Sequence, residues 1–414
     1  MTMIRFFFTG LAVALALSAC GGGGGGGGSG APVSSVATGQ FLDSKVQGLR
    51  YSSGNQTGIT DAEGRFTYQP GTNITFSVGN FTIGTVASNS IVTASVLTPV
   101  NLAAGADVTH PSVITIARFL MMLDQDGNPD NGITISPAVQ AAAANWPIIN
   151  FLSTTYFTTG AFDSDANVQA IVASVSAADS RAAVLPTATA AQSHLTTTMY
   201  CGMGGGYLGN WSGRYTQTGN VSGSWNGVID PITGNMMGHI TGSGADITVG
   251  TTVMTRAIAN LTVHTTGLVD FIMNGTVTMS GSVMGGSWLD NTNPSNTGNG
   301  PFTGSRISFA LPAGASGNVY QGTMIGSAVG YSPPSYEFSA YSFAISNNGS
   351  VSGAGKNLTT NTDFTVSGSV TGSTITGTSS LGDTFTGTVN ANGTVTGTYS
   401  HAPFSGSFNA CRPM

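Results

Sequence analysis

The stretch Gly209-Asn210-Trp211-Ser212-Gly213-Arg214-Tyr215 alternates a glycine or an aromatic residue with a polar one. Alternation of glycine with a large apolar residue recurs at 223–229, 393–399 and 404–408. A period of two puts one set of side chains on each face of a β-strand. A glycine beside an aromatic residue leaves room for the ring to lie across the sheet. The pattern therefore predicts antiparallel strands whose small and large residues fill a common interior.

The region from 201 to 414 that carries this pattern also looks duplicated. Residues 225–229 are similar to 341–345, and 275–288 are similar to 387–399, at an offset that drifts between about 100 and 115 residues. Such drift indicates two diverged halves. We expect an antiparallel β-barrel or, alternatively, a meander of two packed sheets, because a flat open sheet would leave Thr-rich edges exposed.

Two further regions precede the duplicated one. Residues 36–99 are typical of a β-sandwich module, because short strands alternate with turns such as Asp61-Ala62-Glu63-Gly64. Residues 100–200 predict a small helical subdomain, since apolar residues recur there at helical spacing. The predicted helices cover 111–123, 137–144, the following segment to Phe157, 165–178 and 187–198. The expected fold class is mainly β with a small helical subdomain.

Composition excludes several classes of partner. Only 7% of the 414 residues are charged, the net charge is −6, and the two lysines are Lys45 and Lys356. With no basic patch, nucleic acid is not expected as a partner. The glycines at 204–209 fit G-x-G-x-x-G but lack the strand and helix of a dinucleotide site, so no nucleotide is expected either.

Catalytic signatures are also missing from the sequence. It contains neither G-x-S-x-G nor H-E-x-x-H. We therefore expect a protein that is not an enzyme and whose scattered histidines are surface or packing residues. These histidines are His110, His194, His239, His264 and His401.

The first 20 residues resemble the signal peptide of a bacterial lipoprotein. Arg5 precedes an apolar run at 6–17 that is too short to span a bilayer, and Leu17-Ser18-Ala19-Cys20 resembles a lipobox. The resemblance implies a diacylglyceryl and palmitate-type anchor on Cys20, and Gly21 in the second mature position implies the outer membrane. Residues 21–35 would form a flexible Gly-rich tether. The alternative is an ordinary signal peptide in which Cys20 is incidental.

The two other cysteines stand at the ends of the C-terminal region. An exported compartment permits disulfides, so we expect a bond between Cys201 and Cys411. Closing so long a loop would stabilise the protein by about 5 kcal/mol in the chain-entropy model. Two free thiols are the alternative.

The candidate metal site is a run of oxygen-bearing side chains between Leu123 and Ile133. A structural Ca²⁺ ion needs several hard oxygen ligands wrapped around it, and the run alternates such residues. The candidate ligands are Asp124, Asp126, Asn128 and Asp130. The run departs from the EF-hand loop, because no glycine occupies the sixth position and no glutamate closes it. The alternative is an Asx-rich turn that bonds to itself.

The segment 58–68 resembles the G-x-T-D-x-x-G-x-F hairpin of carboxypeptidase-regulatory-like, transthyretin-like β-sandwiches. Together with the lipobox, the glycine tether and the glycine/aromatic region, it makes the chain similar to a group of uncharacterised proteobacterial outer-membrane lipoproteins. The resemblance implies an envelope location and this architecture.

From these features we expect a lipid-anchored, non-enzymatic envelope protein that binds or supports a glycan, matrix or protein ligand. Trp146 and Tyr336 are candidate exposed contacts. The alternatives are a structural or assembly lipoprotein of the outer membrane, and a glycan hydrolase with an unrecognised pair of carboxylates.

Overall fold

The computed structural model describes most of the chain from Val36 onwards. The described residues are 36–91, 96–104, 106–153, 156, 160–242, 245–252, 258–263, 271–277, 283–328 and 335–412. Cys20 and the predicted tether at 21–35 lie outside them. Over the described residues the chain is mainly β and its α-helices lie between 99 and 203, which confirms the predicted fold class.

The described residues in the first part of the chain form eight short strands, seven of which make up two small sheets. These strands are β1 (Ala37–Phe41), β2 (Val46–Gln47), β3 (Arg50–Ser53), β4 (Gln56–Ile59), β5 (Arg65–Tyr68), β6 (Ile74–Val78), β7 (Phe81–Val86) and β8 (Val96–Leu97). One sheet has the order β5-β1-β8 and the other β4-β3-β6-β7. Alternating side chains bring Phe41 against Phe76, with ring centroids 4.7 Å apart. The two sheets therefore share a core.

The helices follow, with one short strand among them. They are α1 (Pro99–Leu102), α2 (Pro111–Met122), α3 (Pro137–Ala142), α4 (Ala161–Ser164), α5 (Ala166–Asp179) and α6 (Ala188–Met203), and the strand is β9 (Ile133–Thr134). Strand β9 pairs in parallel with β2, so the loop after α2 lies against the first β-module. None of the helices that the structure describes is both long and apolar enough to cross a membrane.

One predicted helix is wrong. The segment after α3 continues only as a turn of 3₁₀ helix to Asn145, and 146–153 is not helical. Trp146 is extended, with φ −74° and ψ 144°. The reason is Pro147, which disfavours helical backbone at the residue before it and lacks an N–H of its own.

The duplicated region begins with an eight-stranded antiparallel sheet. Its strands are β10 (Gly205–Tyr215), β11 (Gly219–Ile229), β12 (Asn235–Gly242), β13 (Ala245–Thr252), β14 (Ile258–Val263), β15 (Phe271–Val277), β16 (Val283–Asp290) and β17 (Gly298–Arg306). The order is β13-β12-β11-β10-β17-β16-β15-β14, so the first strand pairs with the last. The edge strands β13 and β14 lie side by side, and the sheet is therefore strongly curled.

Tryptophans in this sheet lie across glycines of the neighbouring strand. Trp211 is directly opposite Gly223 and Trp225 is opposite Gly209. The Trp211 indole N–H crosses β11 to donate to Thr241 O on β12, at 3.0 Å. A Cβ at Gly223 would come within 2.6 Å of Trp211 Nε1. The glycine/aromatic alternation thus records cross-strand pairs that let each ring lie flat on the sheet.

The second half is a closed eight-stranded barrel. Its strands are β18 (Asn318–Ala328), β19 (Tyr336–Ile345), β20 (Ser350–Asn357), β21 (Thr362–Thr371), β22 (Thr374–Ser379), β23 (Thr384–Val389), β24 (Thr394–His401) and β25 (Phe404–Cys411). Strand β18 pairs with both β19 and β25, which closes the barrel. Aromatic residues fill the interior, as in the stacked pair Phe385 and Phe408 at 4.2 Å. The interior is therefore a packed core.

The two halves have related strand topologies. In each, eight strands follow in chain order and the first pairs with the last, but the fourth and fifth strands pair only in the barrel, since β13 and β14 are the edges of the first sheet. The similar segments recognised in the sequence fall on equivalent strands, since Trp225 lies on the second strand of the first half and Tyr341 on the second strand of the other. The duplication was therefore readable before the pairing was known.

The predicted pairing of Cys201 with Cys411 is present in the structure. The disulfide joins α6 to β25, with the two Cα atoms 5.8 Å apart and 210 residues apart in sequence. It ties the helical segment directly to the strand that closes the barrel.

Candidate functional site

A cavity of about 580 Å³ lies where the first β-module, α6 and the closed barrel meet. We call it the junction pocket and define it by Ser44, Lys45, Asp130, His194 and Arg412, which all line it. Its volume is within the range of small-molecule sites. Residues from distant parts of the sequence converge on this pocket, so it is the candidate ligand-binding site.

A tight turn between β1 and β2 positions Ser44. Leu42 and Lys45 bridge across the turn, and Ser44 has φ +57°, in the left-handed region. The Ser44 N–H donates to Thr198 Oγ1 on α6, at 3.1 Å. The turn is thus held against the helix, and the Ser44 hydroxyl faces His194.

His194 on α6 is the centre of a polar network. Its Nε2 lies 3.0 Å from Ser44 Oγ, and its Nδ1 lies 3.3 Å from Asp130 Oδ1. Asp43 Oδ1 is 3.9 Å from the same Nε2. Burial alone would lower the pKa of His194, but the hydrogen bond with Asp130 and the charges of Asp43 and Asp130 raise it.

Asp43 is fully buried behind the turn. Neither of its carboxylate oxygens has a hydrogen-bond partner among the residues that the structure describes. Burial raises the pKa of Asp43 to about 7, against the opposing attraction of His194. Perturbed titratable groups beside a cavity are characteristic of functional sites, and also of some structural ion pairs.

The predicted calcium ligands do not converge as a set. Asp124 Oδ1 accepts from Thr134 N–H at 2.9 Å, and Asp126 accepts from Asn128 N–H and from the Asn131 side chain, both at 2.8 Å. Asp130 turns away to His194. Carboxylate oxygens of Asp124, Asp126 and Asp130 do not come within 4.8 Å of one another as a group.

One oxygen of this loop nevertheless stays available to a cation. Asp124 is buried, and its Oδ2 has no hydrogen-bond partner among the described residues. Burial and, to a lesser extent, the neighbouring Asp126 raise the pKa of Asp124 to about 6. Asp124 therefore keeps one oxygen for a cation, whereas Asp130 is turned to His194, and calcium binding stays a prediction.

The two aromatic residues proposed as surface contacts differ. Trp146 is only 9% exposed and donates through its indole N–H to Ser174 at 2.9 Å, so its assignment as an exposed contact is wrong. It packs against Phe81 and Phe119 in the core. Tyr336 is 38% exposed and remains available.

The network around His194 was not recognised from the sequence. His194 and Ser44 are 150 residues apart, and neither lies in a motif with a known mechanism. The expectation that His194 is a packing residue captures its burial but not its partners. No pattern in the sequence indicates that these two residues are in contact.

Comparisons with known proteins give little. No protein-family model and no curated protein matches this chain. A crystal structure of a protein of unknown function from the DUF3598 family of Nostoc punctiforme is 9% identical, with a TM-score of 0.19, over 52% of this chain and 98% of that one. Transferrin binding protein B of Haemophilus parasuis, a vaccine antigen, is 10% identical, with a TM-score of 0.19, over 50% and 75%. Scores this low establish neither a shared fold nor a function.

Proposed function

We propose that this chain is a lipid-anchored, non-enzymatic outer-membrane protein that binds an anionic, hydroxyl-rich ligand, such as an acidic glycan fragment, in the junction pocket. The observation that carries the proposal is the pair of cations at the pocket. Lys45 and Arg412 both line it, and neither forms an ion pair with any residue that the structure describes.

The rest of the lining suits such a ligand. His194 is a third basic group at the pocket, and Asp130 is the one acidic side chain among the described residues that line it. Hydroxyl and amide side chains complete the polar surface, among them Thr197, Thr198 and Asn392. A few convergent polar groups in a concave site are what fix the orientation of a small ligand.

A binding experiment tests this proposal. The purified chain, titrated calorimetrically with oligogalacturonate as an acidic glycan, should bind it, and should bind a neutral oligosaccharide at least tenfold more weakly. Lys45→Ala and Arg412→Ala should each weaken binding about tenfold or more, as for charge-assisted hydrogen bonds. Lys356→Ala is the matched control, because Lys356 is paired with Asp363 on the barrel. Equal binding by all variants, or none by the wild type, contradicts the proposal.

The envelope location has its own test. Cells grown with an alkynyl palmitate analogue should label the wild-type chain and not a Cys20→Ala variant. Equal labelling of the Cys20→Ala variant would contradict the lipid anchor at Cys20, but it would not bear on ligand binding in the junction pocket.

A second candidate function, ester or amide hydrolysis, rests on the order Ser44, His194 and Asp130. A serine hydroxyl at 3.0 Å from one imidazole nitrogen and a carboxylate at 3.3 Å from the other is the arrangement of a nucleophile, a base and an orienting acid. Two features favour binding instead. Ser44 is 6% exposed, and its N–H, which would help to hold an oxyanion, already donates to Thr198.

The two functions give different results with the same variant. A fluorophosphonate probe should label Ser44 if the network is catalytic, and hydrolysis of short p-nitrophenyl esters should disappear in Ser44→Ala. We expect neither labelling nor hydrolysis above that of Ser44→Ala. A chain that neither binds acidic glycans nor hydrolyses esters would leave the structural or assembly role.

A further inference from the structure

Three ligating side chains meet at one end of the closed barrel. Glu337 is near the start of β19, Asp383 immediately precedes β23, and His401 ends β24. Because neighbouring strands are antiparallel, these positions share one end. The junction pocket lies at the opposite end, where Asn392 precedes β24 and Arg412 follows β25.

The three side chains are close enough to bind one ion together. One ligand atom from each, a carboxylate oxygen of Glu337 and of Asp383 and a ring nitrogen of His401, all lie within 4.8 Å of one another. His401 Nδ1 and Asp383 Oδ1 are 3.4 Å apart. Two ligands of a tetrahedral Zn²⁺ ion with bonds near 2.0–2.1 Å are separated by about 3.3 Å. One edge of the coordination polyhedron is therefore already present.

Each of the two carboxylates accepts a hydrogen bond from a neighbouring side chain on one oxygen only. Asn357 Nδ2 donates to Glu337 Oε1 at 2.6 Å, and Ser379 Oγ donates to Asp383 Oδ2. The remaining oxygens are Glu337 Oε2 and Asp383 Oδ1. Outer-shell donors of this kind fix ligand carboxylates in metalloproteins.

Several buried polar atoms at this end have no hydrogen-bond partner among the described residues. They are Glu337 Oε2, Tyr399 Oη and His401 Nδ1. Glu337 is 6% exposed and Tyr399 3% exposed, so neither atom is solvated in compensation. Orphaned buried polar atoms are costly and call for an explanation such as an ion. Their clustering beside Asp383 Oδ1, which lies 3.4 Å from His401 Nδ1, points to one.

The two carboxylates are both buried, since Glu337 is 6% and Asp383 5% exposed. A cation would remove the repulsion between them.

We propose that Glu337, Asp383 and His401 form a binding site for a first-row divalent transition metal, with Zn²⁺ as the representative ion and the Tyr399 hydroxyl beside the fourth position. An imidazole ligand in a small site favours such an ion over Ca²⁺ or Mg²⁺, which prefer oxygen ligands alone. His401 is partly exposed, so an ion reaches the site from solvent without barrel opening.

Metal binding by the full-length, oxidised chain tests the proposal. After EDTA treatment and dialysis, titration with ZnCl₂ in excess Ca²⁺, which occupies oxygen-only sites, should give one tight equivalent. His401→Gln and Glu337→Gln should each abolish that equivalent or weaken it at least 100-fold. Asp363→Asn is the control, because Asp363 is an exposed barrel carboxylate outside the site, and this variant should bind as the wild type does.

Folding must be separated from binding. His401 is partly exposed, so His401→Gln should keep the wild-type far-ultraviolet spectrum even if a variant of the buried Glu337 does not fold. Zn²⁺ should also raise the melting temperature of the wild type and not that of His401→Gln. No bound zinc in the wild type, or zinc retained in His401→Gln, overturns the site. Neither result bears on glycan binding at the other end of the barrel.

Discussion

Asn409 on the last barrel strand donates a hydrogen bond to Asp230 of the first half at 2.9 Å, although the two residues are 179 positions apart. Asp230 is completely buried, and its other oxygen accepts from the N–H groups of Ile232 and Thr233. Donors of this kind offset the cost of burying a carboxylate. This bond is therefore a polar connection between the two eight-stranded halves, which also share an apolar cluster of Val228, Phe338, Ala340 and Leu358.

Removing the donor should destabilise the protein. We expect Asn409→Ala to lower the free energy of unfolding by about 1.5–3 kcal/mol, because it leaves one oxygen of a buried carboxylate unsatisfied. Urea denaturation followed by tryptophan fluorescence measures this, since three of the four tryptophans lie in the first half. Asn318→Ala, at an exposed position on β18, should change the value by less than about 0.5 kcal/mol. An Asn409→Ala variant as stable as the control would show that the bond carries no net stability.

A side chain at Gly223 should be destabilising, because the Trp211 ring occupies the space beside this glycine. A methyl group there would collide with Thr241 O and come within 2.6 Å of Trp211 Nε1. We expect Gly223→Ala to destabilise the protein by about 1–3 kcal/mol and to shift the emission of Trp211, because the ring must move. Gly285→Ala on the same sheet is the control, since its nearest neighbour would be 3.4 Å away. Equal stability of the two variants would contradict the conclusion that Gly223 leaves the space in which the Trp211 indole packs.

Asp43 should make stability depend on pH. Its pKa is about 7 in the folded protein, against an ordinary value of 3.8 for an aspartate in an unfolded chain. Between these values the folded protein holds a proton that the unfolded chain has released, so rising pH favours unfolding until about pH 7, where the loss is complete. His194 acts in the same direction, because its raised pKa gives stability that is lost as pH rises through the folded value.

The variant Asp43→Asn has no titratable group at this position, so it lacks the contribution of Asp43 to the pH dependence of stability. Its free energy of unfolding should fall less than that of the wild type between about pH 4 and pH 7, by about 1–3 kcal/mol, after allowance for coupling to His194. Urea denaturation at several pH values measures the two slopes, and Asp363→Asn serves as an exposed control. Parallel slopes for wild type and Asp43→Asn would mean that Asp43 ionises normally.

The aspartate loop gives a prediction about calcium. An ion held between Asp124 and Asp126 at ten times its Kd would stabilise the fold by about 1.4 kcal/mol. We expect the melting temperature to rise in excess Ca²⁺ over EGTA for the wild type and not for Asp126→Asn. Asp61→Asn, in a turn of the first module, should respond as the wild type does. A wild-type melting temperature that ignores Ca²⁺ would leave the loop as a self-bonded turn.

Local patterns predicted the β-region well because the relevant contacts have a local signature. A ring such as Trp225 needs a glycine opposite it, and both are written into the strand period. The repeat likewise placed equivalent strands without knowledge of pairing. The helix after α3 failed for a local reason that was visible, namely Pro147.

Both candidate sites escaped the sequence because they are assembled from single residues on distant elements. Glu337, Asp383 and His401 each occupy a strand end, and only the barrel register makes neighbours of them. Ser44 and His194 meet because the turn after β1 packs against α6, not because of any spacing between them. Residue type alone also does not decide which residue caps α5. Asp165 is the N-cap, whereas Asp163 and Ser164, which are equally favoured cap types, lie in α4.

The bond between Cys201 and Cys411 joins two walls of the junction pocket. Cys201 lines the pocket from α6, and Arg412, which directly follows Cys411, lines it from the barrel. The bond therefore limits how far the helix and the barrel can separate, and with it the width of the opening between them.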